Sequence, residues 1–327
     1  MKFKPMITGI GACVAMLILI LDGRTALIGA QTGIELCLRT VIPSLFPFFL
    51  LSILLTSSLS GISLPFLRPL GKLCGIPQGG ESILISGFLG GYPAGAQSIS
   101  AAYRAGQLSK DDAQRMLAFC NNAGPAFLFG MAASVFSNPV IPWLLWGLHL
   151  FSAILVSLLI PKNQESSVQI SSQNRHSISS ALRSSIHVMA SVCGWVVFFR
   201  IVIAFLNRWV LWILPVDIQV VVIGFLELSN GCCELPSVSD PSLRFAVCSS
   251  LLACGGLCVA MQTQSVLSGL SMKSYFFGKM LQTIFSLLLS CAFILGWWIP
   301  CICILFLCIV SLRKIQKKSS IPKAIGV

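Results

Sequence analysis

The sequence predicts an all-α polytopic membrane protein, with two inverted repeats of discontinuous, re-entrant helices and about 8–10 membrane segments. Three observations predict it. Of 327 residues, 56% are hydrophobic and 10% are charged, with a mean hydropathy of +0.89. An ordinary soluble domain carries about 25% charged residues, so a soluble core could not hide this much apolar surface. The apolar residues also gather into runs close to the length of a bilayer span. Finally, two of these runs are broken by Gly, Pro, Asn and Glu at matching places. These observations exclude a soluble globular enzyme, a disordered chain and a secreted disulfide scaffold.

The net charge of +12 does not form one basic patch. Lys2 and Lys4 stand at the N-terminus, and Arg313, Lys314, Lys317, Lys318 and Lys323 follow Leu312. The rest punctuate apolar runs, which is how topology signals are distributed, so no nucleic-acid partner is expected. The tail can also touch anionic lipid. The 14 cysteines lack the paired spacing of a zinc site or disulfide framework and read as small apolar residues.

The first helix covers residues 6–21 and is read as uncleaved and entering from the cytoplasm, with a cleaved signal peptide as the competing reading. With residues 22–40 it makes an N-terminal helix and connection (1–40). Residues 41–60 form a span opened by Pro43 and Pro47, and 64–76 an amphipathic piece lying in the interface. Residues 82–103 are apolar, but Gly87, Gly90, Gly91, Pro93 and Gly95 deny them a straight helix. A polar tip at 104–115 follows, with Ser109 placed to cap a new helix. Residues 113–136 are interrupted at Asn121-Asn122-Ala123-Gly124-Pro125, and 140–160 form a plain span. The first repeat is therefore 41–160.

Residues 161–185, rich in Ser, Gln and Asn, read as a cytoplasmic linker. The second repeat, 186–312, begins with a span at 186–206 that carries Arg200. An apolar run at 218–235 is broken by Ser229-Asn230-Gly231, and one at 245–267 holds Gly255-Gly256 and Gln262-Thr263-Gln264. The long run 276–312 is expected to break at Gly296 or Pro300. A basic cytoplasmic tail, 313–327, ends the chain. With both termini, 61–81, 104–115, the linker and the 268–279 turn inside, 17 Lys/Arg are cytoplasmic. Only Arg24, Arg39, Arg208 and Arg244 lie outside, an asymmetry that favours this orientation.

Gly87-Phe88-Leu89 opens the first broken run and Gly224-Phe225-Leu226 the second. Each is followed by a polar connection and a second interrupted helix. In the charge scheme one unit enters from inside and the other from outside, the inverted arrangement of many secondary transporters. Broken backbone at that depth must line a cavity or be buried in protein. The competing explanation, that the glycines only permit close helix packing, does not account for the correspondence between units.

The candidate substrate site is therefore Gly90, Gly91, Tyr92, Pro93 and Gly95, whose freed N–H groups suit a carboxylate. Gln97, Asn121, Asn122, Ser229, Asn230, Gln262 and Gln264 add hydrogen-bonding groups, with helix–helix adhesion as the alternative for the amides. Glu227 and Glu234 are candidates for proton or cation coupling, because an intramembrane carboxylate is costly. Exposure at the outer surface is the competing reading for both. His149 reads as a packing residue. No catalytic set, metal cluster, nucleotide fingerprint or cofactor motif appears, so enzyme activity is not expected. The expected partners are a small-molecule anion and the lipid bilayer.

The stretches Pro43–Phe48, Gly87–Gln97 (GFLGGYPAGAQ) and Phe119–Phe127 (FCNNAGPAF) resemble the sporulation integral membrane protein YlbJ family. That family lies within the wider group of nucleoside-recognition, or Gate-domain, membrane proteins. The resemblance spans roughly residues 35–310, and G-Y-P-x-G-A is its most specific part. It implies a multi-pass protein of endospore-forming Firmicutes. The implied role is to move dipicolinic acid across the outer forespore membrane into the forespore. A nucleoside-type transporter and a non-transporting sporulation scaffold are the alternatives.

Overall fold

A computed structural model describes residues 3–161 except 60, residues 177–297, and residues 299, 300, 302 and 304. The middle of the expected linker and the basic tail lie outside the described residues. Among those described there are helices and no strands. Helix α1 covers Phe3–Leu21, matching the first expected helix. Residues 23–40, expected as a connection, are helical instead. Helix α2 (Gly23–Leu36), a π-helical turn (Cys37–Val41) and α3 (Ile42–Leu59) run on as one apolar rod of 37 residues. The Asp22 side chain starts α2 by accepting the Thr25 N–H at 3.3 Å. The rod escapes notice in the sequence because Arg24, Gln31, Glu35 and Arg39 interrupt its hydropathy.

A short α4 (Arg68–Leu73) leads to α5 (Glu81–Leu89). Glu81 is fully buried and is met by Arg68 Nη1 and the Gly79 N–H, each at 3.0 Å. The chain then breaks over Gly90–Pro93 and resumes as α6 (Ala94–Arg104). Helix α7 (Lys110–Leu117) starts at Ser109, whose hydroxyl accepts the Asp112 N–H at 3.0 Å, as its sequence position predicts. A second break covers Ala118–Gly124 before α8 (Pro125–Val135) and the long α9 (Ile141–Leu159).

Helix α10 (Ile178–Trp209) starts inside the stretch expected as linker, because Ser177 caps it by accepting the Ser180 N–H at 3.2 Å. Helix α11 (Val216–Leu226) breaks at Glu227 into α12 (Leu228–Glu234). Helix α13 (Pro241–Cys254) breaks at Gly255, where φ is +73°, into α14 (Gly256–Val266). Helix α15 (Lys273–Ile294) ends at a turn through Gly296, one of the two expected break points.

Element order thus recurs. A long helix (α3 or α10) precedes a broken pair (α5/α6 or α11/α12). A second broken pair (α7/α8 or α13/α14) and a closing helix (α9 or α15) follow. Among the described residues, five apolar stretches are long enough to cross a membrane: Gly23–Leu59, Ile141–Leu159, Ile178–Trp209, Pro241–Val266 and Lys273–Ile294. Large apolar side chains such as Leu51, Phe198 and Phe277 stay exposed on these helices, as lipid-facing surfaces require.

Small residues set the closest approaches. In the first unit Gly87 on α5 and Gly95 on α6 pack against the Cys120 carbonyl, and a Cβ at either would overlap it. In the second, Gly224 on α11 meets Gly231 on α12 so closely that a Cβ at Gly231 would overlap the Gly224 backbone. Helix α2 lies on α10 through Gly29 and Gly33, where an added Cβ would sit 2.9 Å from Ile201 Cα and 3.0 Å from Val197 Cα. That i, i+4 glycine pair is a membrane helix-packing motif.

Candidate functional site

The four breaks converge. Gly91, at φ +80°, faces Gly124: a Cβ on Gly124 would lie 2.9 Å from Gly91 Cα. Tyr92 crosses to the second unit, donating its hydroxyl to the Leu252 carbonyl at 2.9 Å. Gly255 stacks beside that ring, with room for a Cβ only 3.4 Å from Tyr92 Cζ.

Broken helices free backbone groups that lipid cannot satisfy, and here buried side chains satisfy them. Asn121 Oδ1 accepts the Ala96 N–H near the start of α6 at 3.3 Å, and its amide donates to Thr263 Oγ1 on α14 at 2.9 Å. Asn122 donates to the Gly87 and Phe119 carbonyls at 3.2 and 2.7 Å. Its own oxygen accepts from Gln282 Nε2 on α15 at 2.9 Å. The Ala123 N–H donates to His149 Nε2 at 3.0 Å, so His149 holds backbone in place, in line with its packing reading.

Glu227 caps α12. Its carboxylate accepts from the Ser229 N–H at 3.1 Å, the Asn230 N–H at 2.7 Å and Asn230 Nδ2 at 2.6 Å. Among the described residues it has no ion-pair partner. The matching start of α6 carries no acid and uses the neutral Asn121.

Between the breaks lies a cleft of about 380 Å³, open mouth included. Tyr92, Gly124 and Phe127 line it from the first unit, and Glu227, Ser229 and Gln262 from the second. Val192 and Val196 of α10 and Leu45 of α3 complete the wall. Helix α8 starts at this cleft without a side-chain cap on Gly124. Helix α8 is therefore an uncapped helix start at the cleft, whereas the sequence draws attention to α6.

Tyr92, Glu227, Ser229 and Gln262 thus line the cleft as a group. Gly90, Gly91, Pro93 and Gly95 shape the first break around it. Asn121, Asn122 and Asn230 are buried and committed to protein partners. Gln97 is half-buried on α6 and does not line the cleft. Gln264 and Glu234 are exposed and lie outside it.

Lys279 and Gln282 are absent from the sequence-derived set. Lys279 counted there as a cytoplasmic charge of the 268–279 turn. Instead it lies within α15 and is 4% exposed. Its ammonium donates to Gln282 Oε1 at 2.8 Å and to Tyr92 Oη at 3.1 Å, and lies 4.8 Å from the Tyr92 ring centre. Helical spacing held the signal, since Lys279, Gln282, Ser286 and Ser290 form one polar stripe on an apolar helix. All four are buried.

The chain is 26% identical to the sporulation integral membrane protein YlbJ of Bacillus subtilis (strain 168), over 83% of this chain and 77% of that protein. This similarity bears out the resemblance to the YlbJ family. No protein-family profile matches the chain, and no solved structure does. The chain is thus an integral membrane protein related to a sporulation protein, with helix breaks within two of its YlbJ-like stretches, Gly87–Gln97 and Phe119–Phe127.

Proposed function

We propose that this YlbJ-like chain is a secondary transporter of a small organic anion, with dipicolinate imported across the outer forespore membrane as its substrate. It works by alternating access, with the two units as inverted halves and no enzymatic step. The observation that carries this reading is the cleft walled by helix breaks of both units. Discontinuous helices meeting at a cavity are the architecture of transporter substrate sites. The uncapped start of α8 supplies N–H groups suited to a carboxylate. The substrate itself rests on the family resemblance. Cytoplasmic termini follow from the charge distribution, which keeps 16 basic residues inside against four outside once Lys279 is taken out of the turn.

A nucleoside is the second reading, favoured by one feature. Glu227 puts a carboxylate in the cleft wall, which suits a neutral polar ligand better than an anion. Uptake of labelled dipicolinate into proteoliposomes, with unlabelled uridine as competitor, decides between them. Saturable dipicolinate uptake indifferent to uridine supports the anion reading. Uridine uptake alone supports the second, and uptake of neither by folded protein points to a non-transporting scaffold.

A further inference from the structure

The interior holds a lysine without a counter-ion. Lys279 is buried in α15, and among the described residues no carboxylate comes within ion-pair distance of it. An ammonium carries three donor protons. Two go to neutral oxygens, Tyr92 Oη and Gln282 Oε1, and the third has no acceptor among the described residues. Neutral acceptors solvate a buried charge without cancelling it, and an unpaired intramembrane charge is expensive to keep. Packing gives no reason for the charge, since Met or Leu would fill the same space at lower cost.

The position of Lys279 supplies a reason. Tyr92 touches both the Lys279 amine and the cleft. Its hydroxyl and ring engage Lys279, and it also forms part of the cleft wall. Gln282 ties Lys279 to Asn122 and the His149 carbonyl, and so to the second break of the first unit. His149 Nε2 accepts the Ala123 N–H, which assigns the ring proton to Nδ1, and that atom has no partner among the described residues. A buried lysine without a counter-ion and a buried donor without an acceptor therefore share one network beside the cleft.

We propose that Lys279 is the residue that receives a carboxylate of the transported anion, reached from the cleft when Tyr92 turns aside. This rests on the anion-transport reading and deepens it. The anion completes the ion pair that the protein leaves open. Its negative charge is then met by Lys279, which also relieves the conflict between an acidic cleft wall and an anionic ligand. A neutral ligand gains at most a hydrogen bond from Lys279 and no ion pair, so the residue sets charge selectivity.

The test compares purified full-length wild type, K279Q and K279R. Each is titrated with pyridine-2,6-dicarboxylate and with the neutral pyridine-2,6-dicarboxamide, and binding is read from thermal unfolding. Uptake of the labelled dicarboxylate is measured in parallel in proteoliposomes. Wild type is expected to prefer the dicarboxylate, and K279Q to lose about tenfold or more of that preference, the size of a charged hydrogen bond. K279R keeps most of it. A merely structural role would weaken both ligands alike and leave the preference unchanged, which overturns the proposal. Absence of any preference in wild type overturns it too. If K279Q does not fold, K279R decides: preference kept supports the proposal, and preference lost overturns it. Lost preference in K279Q alongside no wild-type uptake would sink the transport reading and leave the Lys279 site standing.

Discussion

Asn122 accepts a 2.9 Å hydrogen bond from Gln282, joining the broken backbone of one unit to the closing helix of the other. The contact lies beside the cleft, and the two residues are 160 apart in the chain. It couples the integrity of the break to the packing of α15, and it sets the first prediction.

Asn122→Ala leaves the Phe119 carbonyl without its 2.7 Å donor and removes one of the two acceptors of Gln282 Nε2. Unmet buried polar groups cost about 1–3 kcal/mol each, so thermal stability in detergent should fall clearly. Gln264→Ala, at an exposed position, should stay within about 0.5 kcal/mol of wild type. Equal melting of the two variants would remove the structural role given to Asn122.

Glycine substitutions should divide sharply. Gly95→Ala and Gly231→Ala each drive a methyl into backbone, the Cys120 carbonyl in one case and Gly224 in the other. Each should cost more than about 3 kcal/mol, read as loss of folded protein from membranes. Gly130 and Gly147 lie in helices with nothing within 4 Å of an added Cβ. Alanine there should be neutral or add up to about 1 kcal/mol through helix propensity. Folded yield of the four variants, measured side by side, checks this.

Glu227 and Glu234 should behave differently although the sequence treats them alike. Glu227→Gln keeps one acceptor oxygen but turns an amide nitrogen toward the donors of Ser229 and Asn230. The expected cost is about 1–2 kcal/mol, and Glu227→Leu, which strands all three donors, should cost more. Glu234→Gln, at an exposed side chain, should be silent within about 0.5 kcal/mol. Unfolding curves that rank Glu234→Gln beside Glu227→Leu would contradict the capping role.

The α2–α10 contact should depend on packing far more than on charge. Asp22 and Arg208 pair at 3.0 Å, but the arginine side chain is 60% exposed. Asp22→Asn should therefore cost no more than about 1 kcal/mol. Gly29→Leu forces α2 away from Ile201 and should cost about 3 kcal/mol or more. Thermal unfolding of both variants compares the two terms directly.

The breaks were legible in the sequence because glycine, proline and amides have local costs in a helix. The Gly90–Pro93 break, the Asn121–Gly124 break and the Ser109 cap all fall where the residues alone place them. The helix over residues 23–36 was not legible, because its polar residues lower its hydropathy while Gly29 and Gly33 hold it on α10. Glu234 and Gln264 could not be told from Glu227 and Gln262 by residue type. The direction a side chain faces depends on how each half-helix is turned.

By itself the sequence determined that this chain lives in lipid, that its helices break at glycine, proline and amide positions, and that few polar residues remain inside them. These are properties of composition and local backbone cost, which act within a few residues. Only the tertiary structure decided which polar groups satisfy the broken backbone and which are left facing the cleft. It moved Lys279 from an orientation signal to a buried lysine against Tyr92, two residues 187 apart in the chain. Such a pairing is fixed by how helices pack in three dimensions, and no local pattern encodes it.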